Sequence, residues 1–180
     1  MPIKTIAGLA SAAIIFSAAA SSAKEFTASV AAFSADFQEG WQEVKTQDPS
    51  IVLRMEKGKS FVDFVKLEQT LSERHLKLRV REQIESLKSK GTPVAGDVRQ
   101  VSLHGGANAY YTSYLSGKTD NFIAFLACNG GSFSISAAGL SEEEFRAIVR
   151  TIRKPGEKID PLKPHPKKVK AVKKKAPGGR

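Results

Sequence analysis

Two short motifs contain residue types that could act on a phosphate or an ester. The first, residues 116–119, reads Ser-Gly-Lys-Thr and resembles the end of a phosphate-binding loop. Such a loop needs a glycine five residues before its Gly-Lys pair and a helix directly after it. Here that position is Thr112, and an apolar strand pattern follows. The segment is therefore predicted to be a hairpin turn.

The second motif, residues 130–134, reads Gly-Gly-Ser-Phe-Ser and resembles a nucleophile elbow around Ser132. An elbow ends in glycine and continues into a helix, whereas this motif ends in Ser134 and continues as a strand pattern. The His-Gly-Gly segment at 104–106 could supply oxyanion-hole donors, but it has no supported nucleophile to serve. Serine hydrolysis is therefore not predicted.

The single cysteine, Cys128, forms the remaining nucleophile–base candidate with His104. Cys128 ends an apolar strand pattern, and a thiol in that setting is predicted to be buried and unreactive. The three histidines, His75, His104 and His165, lie in separate segments without metal-ligand spacing. The sequence thus predicts no catalytic residue, no metal site and no cofactor.

The elements that would position these residues follow the order strands, helix, strands, helix. Short alternating runs with tight turns predict an antiparallel meander over residues 33–67. Apolar spacings of four, four and three from Leu76 to Leu87 predict an amphipathic helix that begins at Ser72 and ends near Gly91.

Strand patterns then resume over residues 98–103, 109–115, 122–128 and 132–137. The pair Ser141 and Glu144 has the spacing of a capping box and opens a second helix, which ends near Lys154. Residues 122–128 are apolar at almost every position, so both faces of that strand should be covered. The order predicts an α+β fold in which two helices pack on an antiparallel sheet.

Aromatic side chains are the candidates for a binding surface. Tyr110 and Tyr114 are expected on one face of their strand, and Tyr111 on the other. Trp41, Tyr110 and Tyr114 are predicted to contact a partner, because Trp and Tyr are over-represented at interfaces. The alternative is that these residues fill the core or cover a sheet edge.

Several segments resemble PsbP-like (Mog-type) domains over residues 33–153. They are the Phe-x-x-x-Phe-Gln-Glu-Gly-Trp opening that ends at Trp41, the Ala-Tyr-Tyr-x-x-Tyr and Phe-Ile-Ala-Phe strands, and the closing Glu-Phe-x-x-Ile-Val-x-x-Ile helix. The chain departs from the pattern at Gln38, where such domains often have proline. The resemblance implies an exported bacterial PsbP-like domain. It also implies an accessory factor that binds other proteins, since the family offers no catalytic motif.

Residues 1–23 are typical of a secretory signal peptide. Lys4 supplies the positive start, residues 6–16 the apolar centre, and Ser-Ser-Ala at 21–23 a cleavage site after Ala23. The apolar run falls short of the roughly 20 residues that a spanning helix needs. The protein is therefore predicted to be periplasmic or secreted.

Most of the positive charge lies in the predicted tail, residues 154–180. The chain has a net charge of +10, of which the tail carries +8 and residues 24–153 only +1. A nearly neutral folded part makes nucleic acid an unlikely partner of the domain. The tail is rich in proline and poor in large apolar residues, so it is predicted to be disordered.

Six lysines concentrate the charge of this tail: Lys167, Lys168, Lys170, Lys173, Lys174 and Lys175. They are predicted to bind anionic lipid, lipopolysaccharide or wall polymer weakly. The alternative is a solvated, solubilising end.

The sequence thus predicts a signal peptide (1–23), a PsbP-like α+β domain (24–153) and a disordered basic tail (154–180). The predicted function is that of a non-enzymatic exported accessory protein that contacts an envelope protein. Two alternatives remain open. One is a small secreted hydrolase, which would need a pocket that exposes Cys128 or Ser132 beside His104. The other is a nucleic-acid-binding protein, if the signal is not functional.

Overall fold

A computed structural model of the chain describes residues 23–28, 33–104 and 106–159. The predicted signal residues 1–22 and the six tail lysines lie outside the described residues. The described part forms, in chain order, β1 (Lys24–Ala28), β2 (Phe33–Phe37), β3 (Gln42–Glu43), β4 (Ile51–Lys57), β5 (Ser60–Lys66), α1 (Glu73–Ser89), β6 (Arg99–Ser102), β7 (Asn108–Ser116), β8 (Thr119–Cys128), β9 (Gly131–Ala138) and α2 (Glu142–Arg150).

Seven strands form one antiparallel sheet in the order β3-β4-β5-β9-β8-β7-β6. Strands that follow one another in the chain pair with each other, except that β5 pairs with β9 and not with β6. This pairing joins β3–β5 to β6–β9 in one sheet. The predicted α+β class, two helices on an antiparallel sheet, is confirmed.

The predicted meander over residues 33–67 is wrong for β2. This strand pairs with β1 in a separate two-stranded ribbon and not with β3. Four of its five residues are buried because the ribbon lies on a face of the large sheet. Alternating hydrophobicity shows that a strand is covered, but it does not show which strand pairs with it.

The large sheet is covered on both faces. On one face, α1 contributes Leu76, Val80 and Ile84 to a cluster with Tyr110 and Phe125. The other face packs against α2 and the β1–β2 ribbon in a larger cluster. There the rings of Phe122 and Phe145 stack with centroids 4.6 Å apart. Strand β8 is therefore buried on both sides, as its continuous apolar run predicted.

Helix α2 begins with the predicted capping box. The Ser141 hydroxyl accepts from the Glu144 N–H at 3.2 Å, and the Glu144 carboxylate accepts from the Ser141 N–H at 2.9 Å. These bonds satisfy N–H groups that the helix itself leaves without partners. The cap fixes where α2 begins after β9. In the part of the chain that the structure describes, no helix has the length and apolarity to cross a membrane.

Candidate functional site

Trp41 and Tyr114 lie toward the same end of the large sheet, with four strands between β3 and β7. Trp41 belongs to the cluster on the α2 face, whereas Tyr114 shares the α1 face with Tyr110. Lys57 pairs with Ser60 at the tip of the β4–β5 hairpin. In the next row of paired residues, four adjacent strands (β5, β9, β8 and β7) contribute Phe61, Ala138, Asn121 and Tyr114. Since Gln42 pairs with Glu56, the preceding Trp41 lies level with Lys57. We call this the hairpin end: Trp41, the 57–60 and 114–121 hairpin tips, and residues 138–140 at the end of β9.

A pocket of about 300 Å³ opens at the hairpin end. Trp41, Leu140, Ala147 and Ile148 give it apolar walls. The full lining is Ala23, which directly precedes the predicted cleavage point, and Asp36, Gln38, Trp41, Lys57, Ser60, Gly139, Leu140, Glu144, Ala147, Ile148 and Thr151. The pocket therefore lies between α2, the ribbon and the β4–β5 hairpin.

A close backbone approach holds the wall of this pocket in place. Gly139 has φ +74, and a Cβ atom there would lie 2.9 Å from the Ser60 Oγ atom. Ser60 instead donates a hydrogen bond from its hydroxyl to the Gly139 carbonyl at 2.6 Å. Only glycine combines this conformation with this proximity, so Gly139 ties the β9–α2 connection to the β4–β5 hairpin.

Three ionised side chains line the pocket, and two of them already have partners. Asp36 forms an ion pair with Arg153, with 2.8 Å between Oδ1 and Nη2. The Glu144 carboxylate accepts from the backbone and hydroxyl of Ser141, which lowers its pKa, with a smaller contribution from the charge of Lys57. The Lys57 ammonium group forms no hydrogen bond or ion pair with a described residue and interacts with Glu144 through its charge alone.

A second polar cluster joins α2 to β6 and β7. Tyr111 donates its hydroxyl to Glu142 at 2.6 Å, and Arg99 donates to Glu142 and to Ser113. Burial raises the pKa of Tyr111 to about 12, and the bond to Glu142 contributes. The bond from Tyr111 lowers the pKa of Glu142, helped by Arg99. At neutral pH neither group exchanges a proton, so this cluster holds elements together.

The three predicted partner-contacting residues separate in the structure. Trp41 is 9% exposed and lines the pocket, and Tyr114 is partly exposed in the next row. Tyr110 is 1% exposed beneath α1, and its hydroxyl donates to Glu73. Burial raises the pKa of Tyr110. Tyr110 is therefore a core residue, which corrects its assignment to a contact surface.

The candidate nucleophiles lie away from the pocket. Ser132 is 1% exposed, and its hydroxyl accepts from the Leu71 N–H at 2.8 Å. Cys128 is partly buried, and burial raises the pKa of its thiol. Neither residue lines the pocket, and neither does His104. Residues 116–119 form the predicted turn, where Ser116 pairs with Thr119.

Metal ligands do not converge within the described residues. They contain no group of three or more His, Cys, Asp or Glu side chains placed to hold a metal ion. His104 lies 3.7 Å from Glu157, measured from Nε2 to Oε1, and this is its one ion-pair contact among them.

Neither a protein-family model nor a curated protein matches the chain. Fourteen solved chains do. The solution structure of cyanobacterial PsbP (CyanoP) from Synechocystis sp. PCC 6803 is similar at a TM-score of 0.53 and 10% identity, covering 81% of this chain and 98% of that one. A crystal structure from Bacteroides thetaiotaomicron has a TM-score of 0.37 and 15% identity, covering 71% of this chain and 47% of that one.

The first of these similarities settles the fold. The chain has a PsbP-like α+β fold, as the resemblance in its sequence implied. At 10% identity the likeness extends to the fold alone.

Proposed function

We propose that the protein is a non-enzymatic exported accessory protein that contacts another envelope protein through the hairpin end. One observation carries the proposal: the large apolar side chain of Leu115 is 43% exposed near the tip of the β7–β8 hairpin, at the same end of the sheet as the apolar pocket. Apolar side chains next to a pocket are typical of the core of protein interfaces.

The charge distribution supports contact by shape and apolar area. Residues 24–153 carry a net charge of +1, so the domain has little net attraction for a polyanion. We propose that the tail supplies the electrostatic part instead. Its six lysines, from Lys167 to Lys175, would hold the domain near anionic lipid, lipopolysaccharide or wall polymer in the periplasm or outside the cell.

The placement of the candidate nucleophiles supports a binding role over the hydrolase alternative. That alternative needs Cys128 or Ser132 exposed in a pocket beside His104. Ser132 is buried and already accepts a backbone hydrogen bond, and the pocket is lined by other residues. Binding without a chemical step is the function that this arrangement favours.

Photo-crosslinking from two matched leucines tests the proposed contact. Leu115 at the hairpin end and Leu78 on the outer side of α1 are 43% and 46% exposed, so a photoreactive residue at either is equally accessible. In intact cells, position 115 should give an adduct of defined mass and position 78 should not. Leu115→Ser should reduce capture of the crosslinked protein about fivefold, and Leu78→Ser should leave it unchanged. Equal adducts from both positions, or none from 115, would refute the contact.

A further inference from the structure

The pocket at the hairpin end has the composition of a site for a small amphiphile. Its apolar side combines the indole of Trp41 with the aliphatic side chains of Leu140 and Ile148. Its volume of about 300 Å³ is at the lower end of the range for ligand sites, about 300–1,000 Å³. Such a pocket would bury a short aliphatic chain and leave the ligand's head group at the rim.

The charges at the rim select the sign of that head group. Asp36 is 2.8 Å from the guanidinium of Arg153, and the Glu144 carboxylate accepts from Ser141 at 2.7 and 2.9 Å. A ligand's ammonium group would therefore have to share carboxylates that are already engaged. The Lys57 ammonium forms no hydrogen bond or ion pair with the described residues and interacts with Glu144 only through its charge, so it can bind a carboxylate without losing a hydrogen bond.

We propose that this pocket binds a short-chain carboxylate amphiphile, with its chain against Trp41 and its head group at Lys57 Nζ. The site is separate from the proposed protein contact, which uses the exposed Leu115 outside the pocket lining.

Trp41 is the only tryptophan of the chain, so its fluorescence reports on this pocket alone. The purified protein is titrated with octanoate, octan-1-ol and octylammonium, which share one chain length and differ in head-group charge. Octanoate should shift the Trp41 emission at lower concentration than octylammonium does. If octylammonium binds more tightly, or if none of the three shifts the emission, the proposal fails.

Two lysines of the same hairpin provide a matched pair of variants. Lys57→Gln should lower the affinity for octanoate relative to octan-1-ol on the order of fivefold, as for a partly exposed charge pair. Lys59→Gln, outside the pocket lining, should leave that ratio unchanged. Equal effects of the two variants on the ratio would overturn the role of Lys57.

A third variant tests where the chain of the ligand lies. Ala147→Leu places a larger side chain into the pocket from α2 and should weaken octanoate and octan-1-ol together. Circular dichroism establishes that each variant is folded. Unchanged binding to folded Ala147→Leu would show that the amphiphile binds elsewhere. Failure of these titrations would leave the crosslinking result from Leu115 intact, so the two proposals are separable.

Discussion

Asp36 on β2 and Arg153 after α2 form an ion pair, with 2.8 Å between Oδ1 and Nη2. Arg153 is 4% exposed and also pairs with Glu25 on β1 at 2.8 Å. The backbones join here too, because Ser34 and Arg153 exchange two hydrogen bonds of 2.9 and 3.0 Å. These contacts therefore fasten the β1–β2 ribbon to the segment that follows α2.

Arg153→Met should destabilise the domain strongly. It keeps the length of the side chain but leaves the mostly buried Asp36 carboxylate without its cation. The free energy of unfolding should fall by about 3 kcal/mol, a large part of the 5–15 kcal/mol that is typical of a domain. Glu25→Gln removes the more exposed partner, 41% exposed, and should cost under about 1 kcal/mol. Urea unfolding followed by Trp41 emission measures both, and equal losses would contradict the ranking.

The pair Tyr111 and Glu142 predicts a dependence of stability on pH. Hydrogen bonds from Tyr111 and Arg99 lower the pKa of Glu142 from its usual 4.5. A carboxylate with a lowered pKa stabilises the fold above pH 4.5, and this stabilisation is lost as the pH falls through the lowered value. Glu142→Gln should therefore cost about 1 kcal/mol at neutral pH, and its stability should converge with that of the parent in acid.

The neighbouring Glu143 provides the control for this pH dependence. It lies in the same first turn of α2, so both residues interact with the helix dipole. Its side chain has no hydrogen bond to the described residues, so Glu143→Gln should show the dipole contribution only. Urea unfolding across the acid range measures the free energy of unfolding of both variants. The difference between them is the contribution of the Tyr111–Glu142–Arg99 cluster to stability. Identical curves would show that the cluster contributes nothing.

Local signals in the sequence determine most of the element boundaries. The helix predicted between Ser72 and Gly91 is Glu73–Ser89, and the capping box at Ser141 opens α2 as expected. Each of these boundaries depends on residues within one turn of one another, so a single sequence contains the needed information. Strand β1 and its pairing with β2 depend instead on distant Arg153, and the sequence did not indicate them.

The candidate site could be predicted only in part, for the same reason. Periodicity places Tyr110 and Tyr114 on one face of β7, but it does not show that α1 buries Tyr110 and leaves Tyr114 partly exposed. Trp41, which the sequence predicted to contact a partner, is 9% exposed and lines the pocket, and its contact with a partner stays a prediction. The pocket itself combines residues from the ribbon, the β4–β5 hairpin, the β9–α2 connection and α2, and no local pattern links them.

Attachment to the envelope should depend on the positive charge of the basic tail and not on the presence of the tail as such. The folded part carries +1 and residues 154–180 carry +8, so retention at an anionic surface should depend on the tail lysines. Replacing Lys167, Lys168, Lys170, Lys173, Lys174 and Lys175 by glutamine keeps the length of the tail. Near an anionic surface each lysine contributes on the order of 1 kcal/mol, and salt screens this attraction within about 8–10 Å.

The parent protein should therefore stay with the envelope fraction at low salt and leave it at high salt. The glutamine variant and a deletion of residues 167–180 should both be released already at low salt. Immunoblots of the washed fraction measure this, and the mass of the retained parent should correspond to a chain that begins at Lys24. Unchanged retention of the glutamine variant would show that the lysine charges do not attach the protein, whatever the deletion does.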